Sequence, residues 1–130
     1  MVSKRPITIA TAQSQVSPDV RENGREIRRL MRHARSAGAA LVHFPEGAMS
    51  GCSKAQIKDW SRVDWSALGD ELRQTAALAD ELGLWVVFGC NHRLTPPHRP
   101  HNSLYVVSDR GELVTRYDKR FLSHTEVTRF

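Results

Sequence analysis

The feature that most constrains this chain is an alternation of two periods. Short runs of β-branched and apolar residues, the length of a strand, are separated by longer segments whose apolar residues recur every three or four positions. Ile7 to Gln13 (ITIATAQ), bounded by Pro6 and the polar SQVSPD, reads as a first strand. Ser17-Pro18-Asp19 then offers an N-cap hydroxyl, a proline for the first helical position and an early acid. Ile27, Leu30, Met31 and Ala34 keep helical spacing until Gly38 stops the helix. Ala40 to Phe44 reads as a second strand. Ser66 to Leu82 repeats the helical pattern through Leu68, Leu72, Ala76, Ala79 and Leu82, with Gly83 where a C-terminal cap belongs. LWVVFG follows as a wholly apolar strand. Buried strands alternating with helices predict parallel pairing through right-handed crossovers, hence an α/β fold.

The pattern then changes. Ser103 to Ser108 (SLYVVS), the turn Asp109-Arg110-Gly111 and Glu112 to Tyr117 (ELVTRY) predict a hairpin. The stretch before it, RLTPPHRPHN, reads as a proline-stiffened loop rather than a domain boundary, because too little chain follows it to fold separately. With 130 residues, 40% of them hydrophobic, the chain is expected to form one soluble domain, burying about two thirds of its unfolded surface.

Composition excludes some classes of function. No apolar run approaches the roughly 20 residues of a membrane span, and MVSKRPITIATAQ lacks the apolar core and cleavage end of a signal peptide. Cys52 and Cys90 form no disulfide framework or metal-type pair, which makes a reducing cytoplasm the expected location. The formal charge of +5 rests mostly on arginine. Arg25, Arg28, Arg29, Arg32 and Arg35 share one helix, where they read as a solvated face in preference to a nucleic-acid stripe, no recognised binding motif accompanying them. His92, His98 and His101 crowd the proline-rich loop without metal-ligand spacing and read as loop histidines, so no metal or other cofactor is expected.

Chemistry is suggested by VHFPEG (42–47), where an apolar strand stops at a proline and sets down one carboxylate. In a parallel sheet the ligand side is the carboxyl end of the strands, which is where Glu46 falls. Lys119, just past the hairpin strand ending TRYD, supplies a cation of the kind that stabilises a developing oxyanion. Each alone is equally a solvated surface residue.

In order, the first strand ending in Ala12-Gln13, SAGAALVHFPEG with Gly51 five residues after the glutamate, LWVVFG, and HNSLYVVSDRGELVTRYDK resemble the nitrilase superfamily of carbon–nitrogen hydrolases from end to end. That resemblance implies part of a four-layer α-β-β-α sandwich, with residues 1–130 as the N-terminal portion of a single domain about twice as long, supplying one helical layer and part of both sheets. It implies a Glu-Lys-Cys triad hydrolysing small amides, nitriles or carbamoyl compounds, in proteins that often form homo-oligomers. Glu46 matches the general base, Lys119 the cation and Glu126 the second carboxylate that orients the site. The family's cysteine lies a few tens of residues beyond the lysine, past Phe130. The chain alone is therefore expected to be inactive, as a fragment, a broken reading frame or an early-terminated product. Cys90 follows LWVVFG at the carboxyl end of a strand, a position expected to face the site, but it reads as a small buried cysteine rather than a substitute nucleophile, because the family takes its nucleophile from a later strand and turn. Asp118, where many members carry Arg, and Cys52, where they often carry an aromatic residue, depart from the family pattern. The rival expectations are a non-catalytic remnant that binds a partner and a nucleic-acid binder using the arginine helix.

Overall fold

The computed structural model describes residues 6–53 and 55–130. Its elements run β1 (Ile9–Thr11), α1 (Val20–Ser36), β2 (Leu41–His43), a single 3₁₀ turn (Trp60–Arg62), α2 (Trp65–Leu82), β3 (Trp85–His92), β4 (His101–Val107) and β5 (Leu113–Asp118). They build one five-stranded sheet in the order β1-β2-β3-β4-β5. The first three strands are parallel, and β3, β4 and β5 pair antiparallel. The α/β expectation holds. The expected contribution to two sheets does not, because the β4–β5 hairpin pairs directly with β3 and all five strands share one ladder.

Both helices begin at aspartate. Asp19 accepts from the backbone N–H groups of Arg21 and Glu22, so Ser17 and Pro18 lie outside α1 and the cap stands two residues later than the SPD motif suggested. Asp64 caps α2 by accepting from Ala67 N–H, and Gly83 closes it in the left-handed conformation. Ile27, Met31 and Ala34 of α1 and Ala67, Leu68, Leu78 and Ala79 of α2 join Val42, Val86, Phe88, Tyr105 and Val107 in one core on a single face of the sheet. Leu30, Leu72, Ala76 and Leu82 pack against its margin. The buried face of α2 also carries Glu71, which is 3% exposed and paired with Arg28 across the helix interface. Gly24 makes room for that carboxylate, since a Cβ there would collide with the Glu71 side chain. Three of the five arginines in the α1 stripe are engaged: Arg28 with Glu71, Arg29 with Glu26, and Arg35 with the Ala39 carbonyl.

Strand alternation sends the remaining side chains to the opposite face. There Leu41, Trp85, Val87, Leu104 and Val106 are half-buried, while Ile9 and Tyr117 are 63% and 53% exposed. No described helix covers this open face.

Several boundaries differ from the sequence reading: β1 is confined to Ile9–Thr11 where Ile7 to Gln13 was expected, and β2 to Leu41–His43 where Ala40 to Phe44 was expected. β3 continues past Gly89 to His92, and β4 starts at His101, so His92 and His101 are paired strand residues and only His98 lies in the loop. The polar side chains of Asn91, His92, His101 and Asn102 masked their strand character. The β4–β5 ladder carries one irregularity, where Val106 faces Thr115 but Val107 faces Leu113. The part of MVSKRPITIATAQ that precedes residue 6, read as belonging to no signal peptide, lies outside the described residues.

Candidate active site

Beyond β2 the backbone stays bonded to β3. Phe44 N–H donates to Val87 O (2.8 Å), Gly89 N–H to Pro45 O (3.2 Å), and Met49 N–H to Gly89 O (3.0 Å). The turn therefore lies flat against Gly89. A Cβ at Gly89 would stand 2.7 Å from Glu46 Cα and from Pro45 O, and closer still to Gly47 N. Gly47 itself has φ +66°, and a side chain there would meet Cys52 Sγ and the Gly51 backbone. The two glycines let PEG turn tightly and project Glu46 at the edge of a cavity of about 190 Å³, lined by Cys52, Asn91, Asn102, Glu126 and Phe130 among others.

Lys119 enters from β5. Its backbone N–H donates to Asn102 O (2.8 Å), and its Nζ donates to Glu46 Oε1 (3.1 Å) and Glu126 Oε1 (3.0 Å). The structure thus brings together all three residues singled out in the sequence. Glu126 is 5% exposed, with its second oxygen accepting from Ser123 N–H at 2.7 Å. That backbone bond, aided by Lys119, holds its carboxyl down at about 2 despite burial. The bond to Glu126, followed by Glu46, raises the Lys119 ammonium above its ordinary range and fixes it as a cation.

Asn102 was missed in the sequence. Its Nδ2 donates to Glu46 Oε1, the oxygen Lys119 also occupies. Both donors thus converge on one carboxylate oxygen, which leaves Oε2 to accept a proton. The available signal was an amide just ahead of the strand SLYVVS, where a buried polar side chain must find a partner. Trp60 was also missed: its indole donates to Arg129 O (2.9 Å) and its ring packs on Phe130 with centroids 5.4 Å apart, clipping the segment that carries Glu126.

Cys90 does not face the cavity. It lies on the helix side of β3, 1% exposed, and burial pushes its thiol up to about 12. Gly89, not Cys90, has the strand position facing the turn. Cys52 does line the cavity, where burial and then the charges of Glu46 and Glu126 raise its thiol, partly offset by Lys119. Among the described residues no group of three or more His, Cys, Asp or Glu is arranged to hold a metal ion. No described helix is long and apolar enough to cross a membrane.

The chain is 26% identical over 123 residues to the deaminated glutathione amidase of Bos taurus, a match covering 92% of this chain and 37% of that protein. Its fold superposes on an amidase from Nesterenkonia sp. with a TM-score of 0.81 at 22% identity, covering 95% of this chain and 46% of that one. A double mutant of that amidase in complex with acrylamide gives a TM-score of 0.82 at 20% identity, over 100% of this chain and 50% of that one. The chain thus spans half or less of these relatives. The profile described as "Carbon-nitrogen hydrolase" matches residues 8–130. The chain belongs to the carbon-nitrogen hydrolase family.

Proposed function

We propose that the chain carries the base-and-cation half of an active site that hydrolyses small amides, nitriles or carbamoyl compounds. It is read as the N-terminal portion of one carbon-nitrogen hydrolase domain, working in the cytoplasm. The observation that carries this reading is Lys119 Nζ held between Glu46 Oε1 at 3.1 Å and Glu126 Oε1 at 3.0 Å beside a cavity. In this reading Glu46, through Oε2, takes the proton of a nucleophilic thiol, returns a proton to the leaving ammonia or amine, and then activates water. Lys119 stabilises the oxyanion of the tetrahedral intermediate. Glu126 keeps Lys119 charged and aimed. The thiol comes from outside this chain, because Cys90 faces the helices and Cys52 has its ionisation opposed first by burial and then by the charges of Glu46 and Glu126. The uncovered apolar sheet face supports association, either with the remainder of such a domain or with a second copy. The engagement of Arg28, Arg29 and Arg35 in internal bonds argues against a nucleic-acid stripe.

The test is ammonia release from a panel of simple amides, nitriles and carbamoyl amino acids. The chain alone should give none above background. Joined to the cysteine-bearing half of a related amidase, it should turn over one of the classes, and Glu46→Gln should abolish that turnover while preserving the fold. Near-normal turnover by Glu46→Gln would refute the assignment of the base.

A further inference from the structure

The same strand ends that present Asn102 and Lys119 to Glu46 carry a second polar cluster on the opposite, helix-side face of the sheet. At its centre is Asp118. Ser103 Oγ donates to its Oδ1 at 2.6 Å, Arg116 grips both oxygens through Nε (2.8 Å) and Nη2 (3.0 Å), and His101 Nδ1 stands 3.0 Å from Oδ2. Behind Arg116, its Nη1 meets His92 Nε2 at 2.5 Å, and His92 Nδ1 meets the Tyr105 hydroxyl at 2.6 Å. Tyr105 in turn stacks on Phe88 in the core with centroids 5.7 Å apart. The cluster is therefore tied to packed structure rather than floating on the surface. Burial works against the Asp118 charge, yet the bonds from Arg116 and Ser103, with His101 beside them, hold its carboxyl at about 2.

Alternation places these side chains relative to the site. On β4, His101 and Ser103 point to one face and Asn102 between them to the other; on the paired strand, Asp118 points with Ser103 and the next residue, Lys119, points with Asn102. The Asp118 carboxylate is thus on the far side of the sheet from the ammonium beside it in sequence, and the charges that act on Lys119 are those of Glu126 and Glu46.

We propose that Asp118, clasped by Ser103, His101 and Arg116, is a positioning residue that fixes the end of β5 so that Lys119 projects to Glu46 and Glu126. This deepens the hydrolase reading and rests on it for its purpose. A lysine has four flexible side-chain bonds, so its aim depends on how firmly its Cα is held. Lys119 N–H bonding to Asn102 O alone would let the strand end fray. The clasp on the other face pins the residue before it.

The test uses the chain itself and needs no turnover. Acetylation by an N-hydroxysuccinimide ester, followed residue by residue by mass spectrometry as a function of pH, reads how firmly Lys119 is held as a bonded ammonium, with exposed Lys58 as the internal reference. In the unaltered chain Lys119 should react at least about tenfold more slowly than Lys58, since only the free neutral amine reacts. Ser103→Ala combined with His101→Gln leaves the Asp118 charge in place and should speed Lys119 several-fold and move its pH midpoint down, with Lys58 unchanged. Asp118→Ala should do the same more strongly, and Ser103→Ala alone more weakly, which keeps the series readable if the larger changes disturb folding. Unchanged Lys119 kinetics in the double variant, or a rise confined to Asp118→Ala, would overturn the proposal by leaving only a charge effect. A parallel rise at Lys58 would overturn it by showing general loosening. Failure of the hydrolase reading would appear as absent turnover once the chain is joined to the cysteine-bearing half of a related amidase, with this labelling pattern intact.

Discussion

Replacing Gly89 by alanine should be the most informative single change in the molecule. Gly89 has no left-handed backbone conformation among the described glycines, so alanine fits its φ and ψ and would ordinarily stabilise a strand by about 0.4–1 kcal/mol through the unfolded chain. The structure reverses that sign. A Cβ would stand 2.7 Å from Glu46 Cα and Pro45 O, both backbone atoms that cannot rotate away. The PEG turn must retreat by more than half an ångström or the strand must bend, an overpacking cost of about 1–3 kcal/mol. Set against that gain, the net expected loss is about 1.3 kcal/mol, which for a slope of about 1.5 kcal/mol per molar lowers the urea midpoint by about 0.9 M. Tryptophan fluorescence would follow it. The same displacement carries Glu46 away from Lys119, so Lys119 should acetylate faster in the folded variant. A midpoint that stays put or rises would refute the argument that Gly89 exists to let the Glu46 turn lie against the sheet.

Arg28→Ala should destabilise the chain by about 3 kcal/mol, because it leaves the buried Glu71 carboxylate only the more distant Arg21, 3.9 Å away, and Arg28→Met with Glu71→Met should recover most of the loss in the same urea assay. Glu126 is depressed from 4.5 to about 2, so its contribution to stability is full above pH 4.5 and is lost as pH falls through about 2. Trp60 fluorescence should report release of residues 123–130 in that window, and an identical acid transition in Glu126→Gln would dismiss the carboxylate as its cause. Thiol alkylation should modify Cys52 in the folded chain but reach Cys90 only on unfolding; early labelling of Cys90 would contradict its place beneath the helices. Trp85→Arg on the open sheet face should abolish binding of a hydrophobic dye without loss of helical signal, and undiminished binding would locate the exposed apolar surface elsewhere.

The helices and the parallel strands were legible because burial writes its period directly into sequence: Ile27, Met31 and Ala34 return to one face, and Val86 and Phe88 to another. Their ends were less so. Pro18 invited a helix start that Asp19 provides, since Ser17 and Asp19, on either side of it, both offered cap oxygens and only the backbone decides between them. His92 and His101 looked like loop because strands are recognised by apolar residues, and here the ladder continues under polar ones whose side chains find partners in Tyr105, Arg116 and Asp118. The conjunction of Glu46, Lys119 and Glu126 came from family resemblance rather than periodicity, because their contacts span 73 and 7 residues of chain. Asn102 stayed invisible for the same reason: its partner lies 56 residues away. Nor could sequence place Asp118 and Lys119 on opposite faces, which depends on the pairing register.

That register has an unexpected origin in the irregularity at Val106 and Val107. From the turn, the ladder sets out with Val107 opposite Leu113, and only after one extra residue on β5 does it settle to Val106 opposite Thr115 and Ser103 opposite Asp118. Run on without that step, the same sequence would bring Tyr117 opposite Ser103 and Asp118 opposite Asn102. The carboxylate would then enter the cavity and the lysine would turn toward the helices. The bulge is a parity bit. It contributes no side chain to the cavity, yet it decides which sign of charge arrives there. Insertions between Ser108 and Lys119 therefore fall into two kinds: those that preserve odd-even order leave Lys119 facing Glu46, and a single uncompensated residue reverses the polarity of the site while leaving its composition untouched.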